Sequence, residues 1–482
     1  MTQKLALTPF PEDRKVFCNR TLNMRSIRAI GYDMDYTLVH YRVEEWEKQA
    51  YGYIKQHFLT LGWPVEALEF DPSSVCRGLI IDTKEGNLLK ANRFGFVKRA
   101  MHGTQAIPLE RQQATYSRMI VELSDDRWVF LNTLFSLSEG CMYAQLVDLF
   151  DRKLIPEVAS YEKLYQIVRQ VIDAAHMEGK LKADILADPE RFIVLDEETA
   201  LTLLDQHFAG KKLLLITNSE WSYTGSVMSY CLDRFLPKNM TWRSLFDVII
   251  VGARKPTFFS MKNPFLEIVT EDGLLKPLIG KLNPKSAYLG GSAQELEKHL
   301  QLSGDQILYV GDHMFGDVRA SKNVLRWRTA LILRELEDEV RELQTFLPKE
   351  VELAQLMKKK EGLEEKFSEI RVKLQRISKQ YGTPISTEEA ALHDQANEIK
   401  AELSALDPTI APLAEASSHL LNAHWGLLMR TGNDKSYLAF QLERYADIYT
   451  SRVSNFLYLT PFAYLRSPRG SLPHDSPGSH LA

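Results

Sequence analysis

The chain has 482 residues, 45% of them apolar and 25% charged, with a formal net charge of -4. Domains usually run ~100–200 residues, so this length implies two to three packed units with ample room for a buried core. Near-average composition with slight acidity excludes a broad basic surface for nucleic acid and defines nothing beyond a soluble globular protein.

At the N-terminus, Met1 to Arg20 alternates polar and apolar residues and carries Pro9 and Pro11 where a secretory signal needs an unbroken apolar run. The apolar runs Leu213–Ile216 and Val248–Val251 fall far short of the ~20 residues that cross a bilayer. A cytoplasmic location without membrane attachment is therefore expected. Cys18, Cys76, Cys141 and Cys231 are scattered, without a CxxC pair or histidines at metal spacing, and are read as four reduced thiols.

The first apolar run, Ile27–Ile30, leads into Gly31-Tyr-Asp33-Met-Asp35-Tyr-Thr37-Leu. A strand ending here sets two carboxylates two residues apart where the chain turns, so that one can attack a substrate while the other handles a proton. Taken alone the pair is a weak signal, because it also occurs in metal-binding glycosyltransferases and by chance on strand ends. About 180 residues then separate this strand from the next, far more than a βα connection requires. A cap domain is expected at 43–205, with helical stretches such as Leu146–Phe150 and Tyr161–Ala175. Caps exclude water and contact the part of a substrate remote from the chemistry. Arg169, Asp173 and His176 fall at i, i+4 and i+7 on one helix face. Such a face either presents donors and an acceptor to a base edge or is an Arg–Asp surface pair beside a solvated histidine.

Three further runs end in polar residues: Leu213–Ile216 before Thr217-Asn218-Ser219, Val248–Val251 before Ala253-Arg254-Lys255-Pro256, and Ile307–Val310 before Gly311-Asp312-His313-Met314-Phe315-Gly316-Asp317. Buried strands alternating with helices predict a parallel α/β sheet, whose ligands bind outside the carboxyl ends of the strands. All four runs put polar residues at that edge, giving a core of residues 1–42 and 206–332. Capping of the next helix by Thr217 and Asn218, and a turn at Asp317, are the plainer alternatives.

Beyond Leu331, apolar residues recur at largely heptad spacing, first at Leu356, Leu363, Phe367, Ile370, Leu374 and Ile377, then at Leu392, Ala396, Ile399, Leu403 and Leu406. A turn at Tyr381–Pro384 and a capping box of Ser386 with Glu389 lie between them. A helical hairpin is expected over 333–424, serving either as an oligomerisation arm or as a hairpin lying on its own core. The aromatic-rich residues 425–466 are expected to pack back on the core, and the Ser-, Pro- and Gly-rich residues 467–482 to be disordered.

In order and spacing, the four strand-end motifs resemble those of the haloacid dehalogenase superfamily: Asp-x-Asp-x-Thr, a strand-end Thr, a Lys, and Gly-Asp-x-x-x-x-Asp. Their wording, together with Asn132-Thr-Leu-Phe135, the Val168–Lys182 segment and Tyr445–Tyr458, is similar to the cytosolic purine 5'-nucleotidase family over most of the chain. This resemblance implies an α/β Rossmannoid parallel sheet with an inserted cap and a C-terminal helical hairpin. It also implies magnesium-dependent hydrolysis of purine nucleoside 5'-monophosphates, those of inosine and guanosine.

A carboxylate attacking a phosphate ester faces anion repulsion that a divalent cation and positive donors must offset. By resemblance, Asp33 is the nucleophile and forms an aspartyl-phosphate, while Asp35 protonates the leaving alkoxide and then activates water. Thr217 and Asn218 donate to phosphoryl oxygens, and Lys255 neutralises developing charge. Asp312 holds Mg2+ with the Asp33 carboxylate and the Asp35 main-chain carbonyl, and Asp317 orients Lys255 or a metal-bound water. Around the base, the resemblance implies Phe135 stacking on the purine with Asn132 beside it, Arg169, Asp173 and His176 at its edge, and Lys182 near the phosphate or base. Met177 stands where the family usually carries Tyr, and the acidic C-terminal run of some relatives is missing, so base preference and regulation are not carried over.

Relatives are oligomeric and respond to nucleotides, which implies a homo-oligomer (dimer or tetramer) with an effector site. Transfer of the phosphoryl group to a nucleoside is the runner-up that the resemblance also permits, and hydrolysis of another small phosphate ester is a further alternative. A mere nucleotide-sensing scaffold would be expected to lose Asp33, Asp35 or Lys255, and none is lost.

Overall fold

The computed structural model describes residues 11–177, 179–383 and 388–470. Ser386, expected in a capping box, lies outside them, as do the His176 side chain, residues 1–10 and residues 471–482 of the tail. Two compact units are present: Met1–Glu337 with Leu428–Ala482, and Asp338–Leu427.

The first unit is built on a ten-stranded sheet: β1 (Phe17–Cys18), β2 (Ala29–Tyr32), β3 (Lys212–Ile216), β4 (Val248–Val251), β5 (Phe265–Ile268), β6 (Leu275–Pro277), β7 (Ser286–Gly290), β8 (Ile307–Gly311), β9 (Arg328–Ile332) and β10 (Ile448–Thr450). Their spatial order is β1-β10-β9-β8-β2-β3-β4-β7-β5-β6. Pairing is parallel from β10 through β7, whereas β1, β5 and β6 are antiparallel at the edges. The α/β parallel architecture expected from the sequence is thus present. The apolar runs are continuous, not alternating, because both faces of the sheet are covered here: Leu213 to Ile216 and Ile307 to Val310 are fully buried. Each such aliphatic side chain contributes about 1.5–3 kcal/mol by leaving water.

The strands that carry the four motifs are immediate neighbours, β8-β2-β3-β4, so all four polar termini converge at one edge. Strand β2 begins two residues later than the Ile27–Ile30 run suggests, and its ladder continues through the Asp33 N–H, which donates to the Val310 carbonyl.

Between β2 and β3 the chain is not only helical. It forms a five-stranded antiparallel sheet, ordered Gln105–Ala106, Val97–His102, Asn87–Ala91, Ile80–Asp82, Trp128–Phe130, which the sequence pattern does not reveal. Helices Val43–Thr60, Leu137–Asp151 and Tyr161–Met177 accompany it. The buried Asp82 carboxylate ties this sheet together by accepting from Arg127 at 2.7 and 2.6 Å and from the Tyr116 hydroxyl at 2.9 Å.

In the second unit, helices Leu336–Lys379 and Glu389–Ser418 meet through two apolar clusters. One holds Leu363, Leu406 and Ile410; the other holds Ile370, Leu392 and Ala396. The heptad positions are those that pack, and Lys360 pairs with Asp407 at 2.8 Å beside them. Among the described residues, no helix is long and apolar enough to cross a membrane.

Candidate active site

Asp33 follows directly on β2, with Lys255 Nζ 2.7 Å from its Oδ1. The same ammonium lies 2.8 Å from Asp317 Oδ1 and donates to the Tyr309 hydroxyl at 3.1 Å, so three neighbours fix its position. Asp317 is held in turn by the His313 N–H at 3.2 Å. A β-carbon on Gly311 would stand 2.5 Å from Asp317 Oδ2, so glycine is required for this close approach. Asn218 brackets the Lys255 main chain, accepting from its N–H at 2.6 Å and donating to its carbonyl at 3.2 Å. Thr217 is buried, and its hydroxyl accepts from the Ser219 N–H at 3.1 Å. Neither residue caps the next helix, whose N-cap is Glu220.

Asp35 faces a different wall. Its Oδ1 accepts from the Tyr41 hydroxyl at 2.5 Å and its Oδ2 from the Ser219 hydroxyl at 2.7 Å; Tyr41 in turn meets Tyr223 at 2.9 Å. The two carboxylates of the Asp-x-Asp pair are therefore separated in role: one is paired to an ammonium, the other held by hydroxyls that can exchange a proton with it. Tyr36, between Asp35 and Thr37, has φ 54°, a left-handed backbone that a bulky residue adopts only under constraint.

Carboxylate oxygens of Asp33, Asp312 and Asp317 lie within 4.8 Å of one another. Burial pushes Asp33 well above the usual carboxylate range, with Lys255 opposing and Asp317 and Asp312 adding to the rise. Burial and the Asp317 charge push Asp312 up to about 7. Three carboxylates sharing one buried ammonium leave a surplus of negative charge on oxygen donors, the composition that suits a hard divalent cation. Asp33 and Asp312 can supply carboxylates to it, whereas the Asp35 carboxylate is already engaged by two hydroxyls.

These residues line a cavity of about 340 Å³ that also includes Phe135, Pro256, His313 and Phe315. A second cavity, of about 420 Å³, is lined by Asn132, Thr133, Phe135, Glu139, Tyr165, Arg169 and Ile172 among others. Phe135 and His313 belong to both, so the cavities share a wall. Burial lowers the His313 pKa, and its Nδ1 accepts from the Gly316 N–H at 2.8 Å, which leaves Nε2–H as the donor of a neutral ring.

Of the residues expected around a base, Asn132, Phe135 and Arg169 line the second cavity. Asp173 is exposed and pairs with Arg169 at 2.9 Å. Lys182 lines neither cavity; it pairs with Glu220 at 2.6 Å and lies over the Tyr223 ring. Sequence reasoning missed Glu139 and Tyr165. Buried Glu139 accepts from the Tyr165 hydroxyl at 2.5 Å and from Arg169 at 3.0 Å, a network that fixes the guanidinium from below. Glu139 lies one helical turn beyond Phe135, a spacing that offered a signal.

The Phe135 wall is supported by Tyr36 and Trp46, whose ring centroids are 4.7 and 5.4 Å from that of Phe135, and by buried Glu47, whose Oε2 accepts from the Ser138 N–H at 2.7 Å. Burial pushes the Glu47 pKa from an ordinary 4.5 to about 8. The folded state keeps this proton over a range in which the unfolded chain releases it, so the group's contribution to stability is greatest below pH 4.5 and falls as pH rises to 8. Glu47→Gln, which stays neutral, is expected to lose less stability than the native chain from pH 5 to 8, by on the order of 1 kcal/mol per pH unit. Denaturant midpoints across that range check it, and parallel curves would refute it.

The family model for the 5' nucleotidase family matches residues 16–477. A 5'-nucleotidase domain-containing protein of Dictyostelium discoideum is 27% identical over 481 residues, covering 98% of this chain and 76% of that protein. Among solved structures, an archaeal β-phosphoglucomutase from Pyrococcus sp. strain ST 04 matches with 12% identity and a TM-score of 0.31, covering 64% of this chain and 87% of that one. A haloacid dehalogenase-like family hydrolase from Xanthomonas campestris matches with 12% identity and a TM-score of 0.24, covering 64% and 82%.

Proposed function

The chain belongs to the 5' nucleotidase family and is a phosphoric monoester hydrolase, and from that premise we propose that it hydrolyses purine nucleoside 5'-monophosphates, those of inosine and guanosine, through an aspartyl-phosphate on Asp33 with Mg2+. The observation that carries this reading is the pair of cavities sharing the Phe135–His313 wall. The first has the ammonium and clustered acids that phosphoryl transfer needs; the second has an aromatic face and an anchored guanidinium suited to a flat, polar base.

In this mechanism an Asp33 carboxylate oxygen attacks phosphorus and the bond to the 5'-oxygen breaks. Asp35 passes its proton to the departing alkoxide. The Asp35 carboxylate then takes a proton from water as the water oxygen attacks the phosphoryl group, releasing phosphate and restoring Asp33. Lys255, locked by Asp317 and Tyr309, offsets charge on the phosphoryl oxygens. Bound through Asp33, Asp312 and the Asp35 carbonyl, Mg2+ would supply Lewis-acid neutralisation of the incoming phosphate. Asn218 serves chiefly through Lys255, whose main chain it holds. A homo-oligomer and a nucleotide effector accompany this reading on the family resemblance, and a cytoplasmic setting on the sequence pattern.

Phosphate release from a panel of nucleoside monophosphates and sugar phosphates tests the substrate. Inosine and guanosine monophosphates are expected to lead, and equal or faster hydrolysis of ribose 5-phosphate would sink the purine assignment. Phe135→Ala removes the stacking face and should lower kcat/KM for purine nucleotides by about 1–3 kcal/mol, roughly 5- to 150-fold, while sparing ribose 5-phosphate.

A further inference from the structure

Two residues from the segment inserted between β2 and β3 reach the loop that carries Asp312. Arg77, with its side chain 1% exposed, donates through NH1 to the main-chain carbonyls of Asp312 at 3.2 Å and Ile332 at 3.5 Å. Its Nε and NH2 are engaged by both carboxylate oxygens of Glu335, at 2.9 and 2.7 Å. Thr133, also buried, donates its hydroxyl to Asp312 Oδ2 at 3.3 Å, and the Thr133 hydroxyl oxygen accepts from the Phe135 N–H at 3.4 Å. Asp312 is therefore gripped at its backbone by one insert residue and at its carboxylate by another.

We propose that Arg77 and Thr133 are positioning residues that set the Asp312 carboxylate for binding a divalent cation; this rests on the metal reading of the site given above. A carboxylate ligand binds well only when its orientation is fixed beforehand, and partners behind the ligand supply that fixation. The guanidinium fork can do this because one edge is clamped by Glu335 while the remaining nitrogen reaches two carbonyls. A lysine has no such fork. Thr133 links the two cavities, because one hydroxyl touches both the cation-side acid and the backbone of the aromatic wall. Since both residues come from the insert, the cation site is complete only with the insert in place.

The test is binding of Mn2+ alone, followed by the electron paramagnetic resonance of the free ion, with thermal stability measured on the same samples. Arg77→Ala and Thr133→Val are expected to weaken Mn2+ binding about 10-fold or more. Arg77→Lys should fall close to the alanine variant, and Thr133→Ser should stay near native. Removing Arg77 alone leaves Glu335 unpaired, so Arg77→Ala/Glu335→Ala should regain thermal stability lost in the single variant without regaining affinity for the ion. Native Mn2+ binding in both Arg77→Ala and Thr133→Val would overturn the proposal, as would affinity that recovers together with stability in the double variant. The readout separates this inference from the substrate assignment. Arg77-dependent Mn2+ binding in a chain without purine preference supports the inference while overturning the purine assignment; purine hydrolysis alongside Arg77-independent Mn2+ binding does the reverse.

Discussion

Asp33→Asn is expected to fold normally and to release phosphate from nucleoside monophosphates on the order of 10⁴-fold more slowly than the native chain, a loss of about 5 kcal/mol of transition-state stabilisation. The amide keeps the shape of the side chain but lacks a nucleophilic oxyanion. The native carboxylate stands in a crowd of like charge, so neutralising it relieves repulsion, and Lys255 retains Asp317 at 2.8 Å. Melting temperature should therefore hold or rise while turnover disappears. Steady-state phosphate release with a parallel melting curve checks both halves. Residual activity within ten-fold of native would remove Asp33 from the nucleophile's role, and lost activity accompanied by unfolding would leave the role unsupported.

Asp35→Asn should separate the two half-reactions. With a nucleotide, the departing alkoxide needs a proton and turnover should fall about 10²–10⁴-fold. With p-nitrophenyl phosphate, whose leaving group departs without one, the first step should proceed but the hydrolysis of the intermediate should stall. The expected signature is a burst of one p-nitrophenolate per active site, followed by a slow phase, with a phosphoryl adduct on the intact protein by mass spectrometry. Equal losses for both substrates and no burst would mean that Asp35 acts through structure. Of its hydroxyl neighbours Tyr41 and Ser219, which meet different oxygens, one can still donate to the amide oxygen while the other accepts from the amide NH2, which makes a purely structural collapse the less natural outcome.

The core was legible because its strands are buried on both faces and carry unbroken apolar runs, and because the chemistry demands particular residues where those runs stop. Asp33, Lys255, Asp312 and Asp317 meet because β8, β2, β3 and β4 are neighbours, which the parallel-sheet reading anticipated without giving their order. The insert's sheet was illegible for the opposite reason. Its strand Asn87–Ala91 is wholly buried yet includes Asn87 and Lys90, so it shows neither alternation nor an apolar run. Polar partners distant in sequence hide its nature: Asn87 donates to the Tyr116 hydroxyl. Arg77 gives no sequence signal either, since its partners Glu335 and Asp312 lie 258 and 235 positions away. The Arg169–Asp173 spacing was visible, but the buried Glu139 that anchors the arginine belongs to another helix.

Strand β10 sits between β1 and β9, joining an early stretch of this chain to a late one. On the ribosome, β1 has no place in the sheet until Ile448–Thr450 has emerged, and the Leu22–Asn23 strand likewise waits for Tyr464–Leu465. Completion of the catalytic unit therefore comes late in synthesis, long after its nucleophile has been made. A nascent chain interrupted before Ile448 leaves β9 as an unpaired edge, the kind of surface along which strands of separate molecules join. Premature termination before Ile448 thus leaves the catalytic unit incomplete and its core sheet open to pairing with another chain.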